Sequence, residues 1–250
     1  MESSILLKLF GLLEATAGHK DGRPLAELAA EVGLAKPTAH RILKTLVALG
    51  YMERVGNGVY RQTQRIRRLV SDADDRRLVR AADKPLRDLW ERSGETVNLG
   101  TLRQGKIVYL TVLESRQPLR RTVSPTMTDP FACTALGRAI AAYLPDERLA
   151  YLLKTTPLEK RTPHTVVDQT ALKKLIAATK VTGVATEEDE TDLGVMCVGA
   201  PVFDRSGVAA AVSLSAPTAR ATAASRERWA EWVKATAEQI TARLTQPAED

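Results

Sequence analysis

The chain has 250 residues, 44% of them hydrophobic and 26% charged, with a formal net charge of +6. This is an ordinary globular composition with room for one large domain or two modest ones, and no run approaches the roughly 18 apolar residues of a membrane span. Two cysteines, Cys133 and Cys197, with no CxxC, are too few for a disulfide framework or a standard zinc motif, so neither a metal nor another cofactor is expected. The N-terminal stretch has an acid at position 2 and no basic n-region, which argues against a signal peptide and for a cytoplasmic protein.

Ser4 to Ala17 reads as a helix, with Ile5, Leu6, Leu9, Phe10, Leu12 and Leu13 in a broad apolar stripe. Gly18 to Arg23 is a turn. Pro24 suits the first position of a second helix, LAELAAEVG, which Gly33 terminates. Leu34, Ala35 and Lys36 form a three-residue turn, and a third helix runs from Pro37 to Gly50. Two short helices joined by a tight turn are the helix-turn-helix signature. Tyr51–Val55 and Val59–Arg61 then flank Gly56-Asn57-Gly58, a hairpin with Gly/Asn turn chemistry. Three helices and a hairpin make a winged helix-turn-helix domain over residues 1–70.

Charge points to the partner of this domain. Residues 1–94 hold 17 Lys+Arg against 12 Asp+Glu, and residues 95–250 hold 19 against 18. Between Val32 and Arg68 there are 8 Lys+Arg and a single acid, Glu53. Such a patch attracts phosphate backbones. On the third helix Ala39, Ile42, Leu43, Leu46, Val47 and Leu49 supply a core stripe. Thr38, Arg41 and Thr45 fall on another face, with Lys36, His40 and Lys44 near its edge. Donors in the first turns suit base edges in a major groove, and the helix N-terminus suits a phosphate. Arg41 is expected to donate two bonds to guanine, and Thr38 and His40 to reach bases or phosphates. Arg54, Asn57 and Arg61 of the wing are expected to touch backbone or minor groove. The expected partner is double-stranded DNA.

Ala73 to Ser93 reads as a polar connector helix marked by Leu78, Ala82, Leu86, Leu89 and Trp90, with Pro85 interrupting or kinking it. The connector spans 71–94. Beyond it, VNLGTL (97–102), KIVYLTVL (106–113) and LRRTVSP (119–125) look like strands. Helices follow at Cys133–Tyr143, Asp146–Leu153 and Val167–Lys180. Val195–Phe203 and Val208–Ser215 are strands around a turn, and Ser225–Leu244 is a closing helix. An antiparallel sheet with helices on its faces makes residues 95–250 an α+β domain.

The stretch GRPLAELAAEVGLAKPTAHRILKTLVALGYMERVGNGVYR resembles the N-terminal domain of IclR-type transcriptional regulators. DPFACTALGRAIAAYLP, GVATEEDETDLGVMCVGAPVFDRSG and VAAAVSLSAPTAR resemble that family's effector domain, in the expected order. The resemblance covers about residues 4 to 245. It implies a homodimer or dimer of dimers, and a GAF-like antiparallel-sheet domain that binds a small molecule, often an organic acid, and adjusts operator affinity. A single recognition helix reads only a few base pairs, so a palindromic operator is expected. Carried over motif by motif, the effector positions are Thr134, Ala135, Gly137, Glu187, Cys197, Ser213 and Ser215. Ala132 stands where the family often has His, and Glu187 where it often has Asp.

The residues stand without the resemblance too. Ser213 and Ser215 alternate with Leu214 and share one strand face. Amides at the start of the Thr134 helix suit an oxyanion, and Cys197 is a small wall with a weak donor. The alternatives are an enzyme with Cys133 or Cys197 as nucleophile, a ligand-free architectural DNA binder, and a metal sensor. The enzyme reading requires a base within reach, and His164 in RTPHTVVD is a weak candidate. No Gly-rich phosphate loop, HExxH or GxSxG is present. A nearly neutral second domain adds no electrostatic affinity to an architectural protein.

Overall fold

The computed structural model describes residues 5–17, 19, 21–56, 58–63, 72–123 and 127–246. The chain divides into two compact units, Met1–Asp74 and Asp75–Asp250.

In the first unit, helix α1 (Ile5–Thr16) precedes a two-residue strand β1 (Arg23–Pro24), α2 (Leu25–Glu31), α3 (Lys36–Ala48), β2 (Met52–Val55) and β3 (Val59–Gln62). Pro24 is not the first helical residue. It caps α2 and lies in β1, opposite Val59 of β3. Gly22 just before it has φ +81°, and a Cβ there would stand 2.7 Å from the Tyr60 carbonyl oxygen, so this strand entry requires glycine. The small sheet has the order β1-β3-β2, and Val55 pairs with Val59 across the turn. Gly56 and Gly58 both take positive φ there. The core is Leu12, Leu28, Ala39, Ile42, Leu43, Leu46, Met52 and Tyr60. This is the three-helix and hairpin arrangement that the apolar stripes dictate.

The second unit begins in α4 (Asp72–Ser93) and continues through β4 (Thr96–Arg103), β5 (Lys106–Leu113), β6 (Thr128–Pro130), a 3-10 turn at Phe131–Cys133 and α5 (Ala135–Ala141). Then come α6 (Asp146–Thr155), α7 (Gln169–Thr182), β7 (Ala185–Glu188), β8 (Val195–Asp204), β9 (Gly207–Pro217) and α8 (Ala223–Thr245). Six antiparallel strands form one sheet in the order β6-β5-β4-β9-β8-β7.

Both faces of this sheet are covered. On one face Val97, Leu99, Val198, Val212 and Leu214 pack against Leu78, Ala82, Leu86 and Leu89 of α4, and against Trp229, Val233 and Ile240 of α8. On the other, Ile107, Tyr109, Ala211 and Cys197 pack with Leu136 and Ile140 of α5 and Leu172 and Ile176 of α7. Each fully buried leucine here is worth about 1.5–3 kcal/mol. Strand alternation therefore sends Asn98, Cys197, Ser213 and Ser215 to the α5 face.

Several expectations are corrected. Among the described residues, 119–123 of LRRTVSP carry no strand; β6 takes the place beside β5. Ala185–Glu188, where no strand is expected from the sequence, pairs with β8 as an edge strand. Cys133 belongs to the 3-10 turn and not to α5. Pro85 neither breaks nor ends α4. It has no N–H for the Ala81 carbonyl, and that carbonyl accepts a hydrogen bond from Arg243 of α8 at 3.2 Å.

Candidate functional site

The first unit presents a face of exposed hydrogen-bond donors. Burial of Ala39, Ile42, Leu43 and Leu46 fixes the roll of α3 and leaves Lys36, His40, Arg41 and Lys44 exposed, with Thr38 half-buried. Ala35 caps the helix without a side-chain hydrogen bond, and the Thr38 amide turns back to the Ala35 carbonyl at 2.9 Å. Thr45 turns back to the Arg41 carbonyl at 3.1 Å. On the wing Arg54 is exposed, and Arg61 pairs with Glu53 across the strands at 2.9 Å. Asn57, the expected wing tip, lies outside the described residues.

The second unit builds a buried polar face on its sheet. Register places Glu187 of β7 beside Cys197 of β8, Cys197 beside Ser215 of β9, and Ser213 beside Asn98 of β4. The Asn98 amide donates to Ser213 Oγ at 3.2 Å and to Ser215 Oγ at 3.3 Å. The Cys197 thiol donates to Ser215 Oγ at 3.1 Å. Glu187 Oε2 accepts from the backbone of Glu190 at 3.2 Å and of Thr191 at 3.4 Å. Oε1 of Glu187 and Oδ1 of Asn98 have no partner among the described residues.

Glycines let a helix sit on this face. A Cβ at Gly199 would stand 2.9 Å from the Ala135 backbone, and one at Gly137 only 2.1 Å from the Phe131 carbonyl oxygen. Thr134 caps α5, accepting from Gly137 N at 3.0 Å. Thr134, Ala135 and Gly137 thus form the close seat of α5 on the sheet. Below it Arg138, 1% exposed, grips Glu190 with two bonds of 2.7 and 2.6 Å and donates to the Ala132 and Thr186 carbonyls. Such a pair holds only because its hydrogen-bonding groups are matched.

A second buried ionic cluster adjoins the face. Arg121 donates to Asp129 at 2.8 Å, to the Tyr109 hydroxyl at 3.1 Å and to Asp192 at 2.9 Å. Arg161 reaches Asp129 at 2.6 Å. Burial alone would push the Asp129 carboxyl up, but Arg121, the Tyr109 hydroxyl and Arg161 hold it below the ordinary value. Burial pushes the Glu187 carboxyl up, against the Cys197 thiol, the two backbone amides and the charge of Arg121. It also pushes the Cys133 thiol to about 11 and Cys197 well above its usual range. A nucleophilic cysteine needs a thiolate, and both thiols are held neutral. His164 is exposed on the loop before α7.

The structure therefore brings Glu187, Cys197, Ser213 and Ser215 onto one face, and it adds Asn98, Arg121 and Tyr109, which sequence reasoning missed. Asn98 left a signal: it is a polar residue alternating with Val97 and Leu99. Arg121 left none, because it sits in a loop among several other arginines.

Comparison with known proteins agrees with both halves. Residues 6–56 match the family model described as the IclR helix-turn-helix domain, and residues 71–242 match that of the bacterial transcriptional regulator IclR C-terminal domain. The HTH-type transcriptional regulator KdgR of Escherichia coli (strain K12) is 31% identical over 233 residues, covering 92% of this chain and 87% of its own. The transcriptional repressor IclR of the same organism is 30% identical, covering 84% and 79%. The crystal structure of the Thermotoga maritima IclR superposes with a TM-score of 0.67 at 27% identity over 96% of this chain and 98% of that one. With its winged helix-turn-helix ahead of an antiparallel-sheet effector domain, the chain belongs to the IclR family of DNA-binding transcriptional regulators and is not an enzyme.

Proposed function

We propose that the chain acts in the cytoplasm as a homodimer or dimer of dimers on a palindromic operator, with a small organic acid on the Glu187–Ser215 face setting its operator affinity. The observation that carries the DNA half is the exposed set Lys36, His40, Arg41 and Lys44 on a helix whose opposite stripe is fully buried. Exposed apolar residues on α1, including Ile5, Leu7 and Phe10 at 52–60%, support pairing of two copies. No helix among the described residues is long and apolar enough to cross a membrane.

The domain reading is 1–70 for DNA, 71–94 for the connector and 95–250 for the effector. Alternation supplies the route of coupling. Ser213 and Ser215 face the ligand side of β9, while Val212 and Leu214 between and beside them pack in the same cluster as Leu86 and Leu89 of the connector. A ligand that favours one position of β9 thereby favours one position of α4, and a coupling of about 1–3 kcal/mol is typical.

The test is fluorescence anisotropy of the full-length protein on DNA from upstream of its own gene, in wild type and Arg41→Ala. Loss of a bidentate guanine contact costs about 1–3 kcal/mol. Unchanged operator affinity in the variant refutes the role of Arg41. A monomer by sedimentation, with and without operator, refutes the dimer.

A further inference from the structure

Two acceptors on the buried polar face have no partner among the described residues, Asn98 Oδ1 and Glu187 Oε1. Their residues are 0% and 3% exposed. Native interiors rarely keep such atoms, because losing water without gaining a bond is costly. The groups between them have the opposite need. Ser213 Oγ accepts from Asn98, and Ser215 Oγ accepts from both Asn98 and Cys197. Neither serine Oγ acts as a donor in these hydrogen bonds, so both hydroxyls are open to donate to a ligand. Across the face the order is acceptor, donor, donor, acceptor.

A keto acid or a plain aliphatic acid brings acceptors only. It answers the serines and leaves both orphaned oxygens unmet. A hydroxyl donates and accepts at once. The two acceptors also lie apart: β4 and β7 are separated by β9 and β8, roughly 14 Å of sheet at the usual strand spacing. Their side chains cover part of that distance, and an acid with a single hydroxyl answers only one of them. Arg121, whose charge reaches Glu187 and Cys197, supplies the cation beside the face that suits a carboxylate.

We infer that the ligand of this face is a polyhydroxylated carboxylic acid, and that Asn98 joins Glu187, Ser213 and Ser215 in binding it. Ligand hydroxyls donate to Asn98 Oδ1 and Glu187 Oε1, and the serine hydroxyls donate to ligand oxygens. This rests on the reading of the second unit as an effector domain and narrows the class of effector.

The experiment is calorimetry and thermal shift on the full-length protein with six-carbon acids of matched length. The probes are gluconate and galactonate against hexanoate, 2-oxohexanoate and the zwitterion norleucine. The expected result is that at least one polyhydroxylated acid binds ten-fold or more tightly than all three others. Asn98→Ala then weakens that acid about ten-fold and leaves hexanoate unchanged. Glu187→Gln, which exchanges a charged acceptor for an amide, weakens it several-fold, and Asn98→Asp, which keeps an acceptor in the same shape, restores binding if Asn98→Ala does not fold. Tighter binding of hexanoate, 2-oxohexanoate or norleucine overturns the inference, as does, for the polyhydroxylated acid that binds, unchanged affinity in Asn98→Ala or a ten-fold or greater loss in Asn98→Asp. If a non-hydroxylated acid binds and shifts operator affinity, the effector reading stands and this inference alone fails. If no acid binds, both fail, while the DNA-binding reading is judged separately on the operator.

Discussion

Replacing Glu187 by Gln should stabilise the ligand-free protein at neutral and alkaline pH. The carboxyl is 3% exposed, its Oε2 holds two backbone amides through long bonds of 3.2 and 3.4 Å, and its Oε1 accepts nothing among the described residues. A glutamine keeps its carbonyl oxygen on those amides and places a neutral NH2 where Oε1 stands. Leaving a buried acceptor unmet costs about 1–3 kcal/mol, more for a charged one. The amide does not recover all of this, because the neighbour that register places beside it is Cys197, whose sulfur is a weak acceptor, so the gain is about 1 kcal/mol. For a chain of this size that is about 2–4 °C in Tm. The pH dependence follows from the direction of the shift. Burial raises the native value above the ordinary 4.5, so the folded protein keeps a proton that the unfolded chain has released. Stability then falls as pH rises from 4.5 through the native value and levels off above it. The advantage of the variant is full above the native value and disappears toward pH 4.5. Thermal melts of both proteins at about pH 5, 6, 7 and 8 measure it. A variant less stable than wild type at the alkaline end, or a gap that does not shrink toward the acid end, would refute the reasoning.

Other substitutions probe the supports of the face. Gly137→Ala drives a Cβ to 2.1 Å from the Phe131 carbonyl oxygen, and chemical denaturation should show a loss of more than about 3 kcal/mol or no folded protein. Asp129→Asn leaves Arg121 with only the partly exposed Asp192 as its charged partner among the described residues and should cost about 2–3 kcal/mol at neutral pH. Because the native Asp129 value is depressed, this difference is present above about pH 4 and fades as pH falls through the native value, which paired melts from neutral pH down to about pH 3 would follow. Arg243→Ala should cost about 1 kcal/mol in wild type and close to nothing in Pro85→Ala, where a restored N–H serves the Ala81 carbonyl; additive effects in that double-mutant cycle would contradict the assigned role.

Legibility in the sequence followed the range of the interactions. The first unit is built from contacts between residues near in sequence. The stripe of α3, the glycines of the wing and the tight turn between α2 and α3 all announce themselves within a window of about 15 residues. Two errors, one in each unit, arose where pairing with a distant strand overrode the local signal. Pro24 has a φ that suits a helix start equally well as a strand end, and pairing with Val59 decided it. Ala185–Glu188 showed no strand because its alternation is visible only once β8 lies alongside.

The buried face was half legible for a related reason. Ser213 and Ser215 stood out because they alternate inside an apolar run, and Asn98 satisfied the same criterion in VNLGTL without being singled out. That criterion becomes strong only when the sheet is known to be covered on both sides. A strand with one wet face is free to carry polar residues there. In β4 and β9, α4 and α8 close one face and α5 the other, so every polar side chain must find a partner inside. Asn98 and the serines meet part of this need among themselves, and the remainder is the donor and acceptor pattern presented to a ligand. Arg121 reached the face from a loop whose composition says nothing about burial. Its place is set by Asp129, Asp192 and Tyr109 converging from three separate segments, an arrangement that no window of sequence contains.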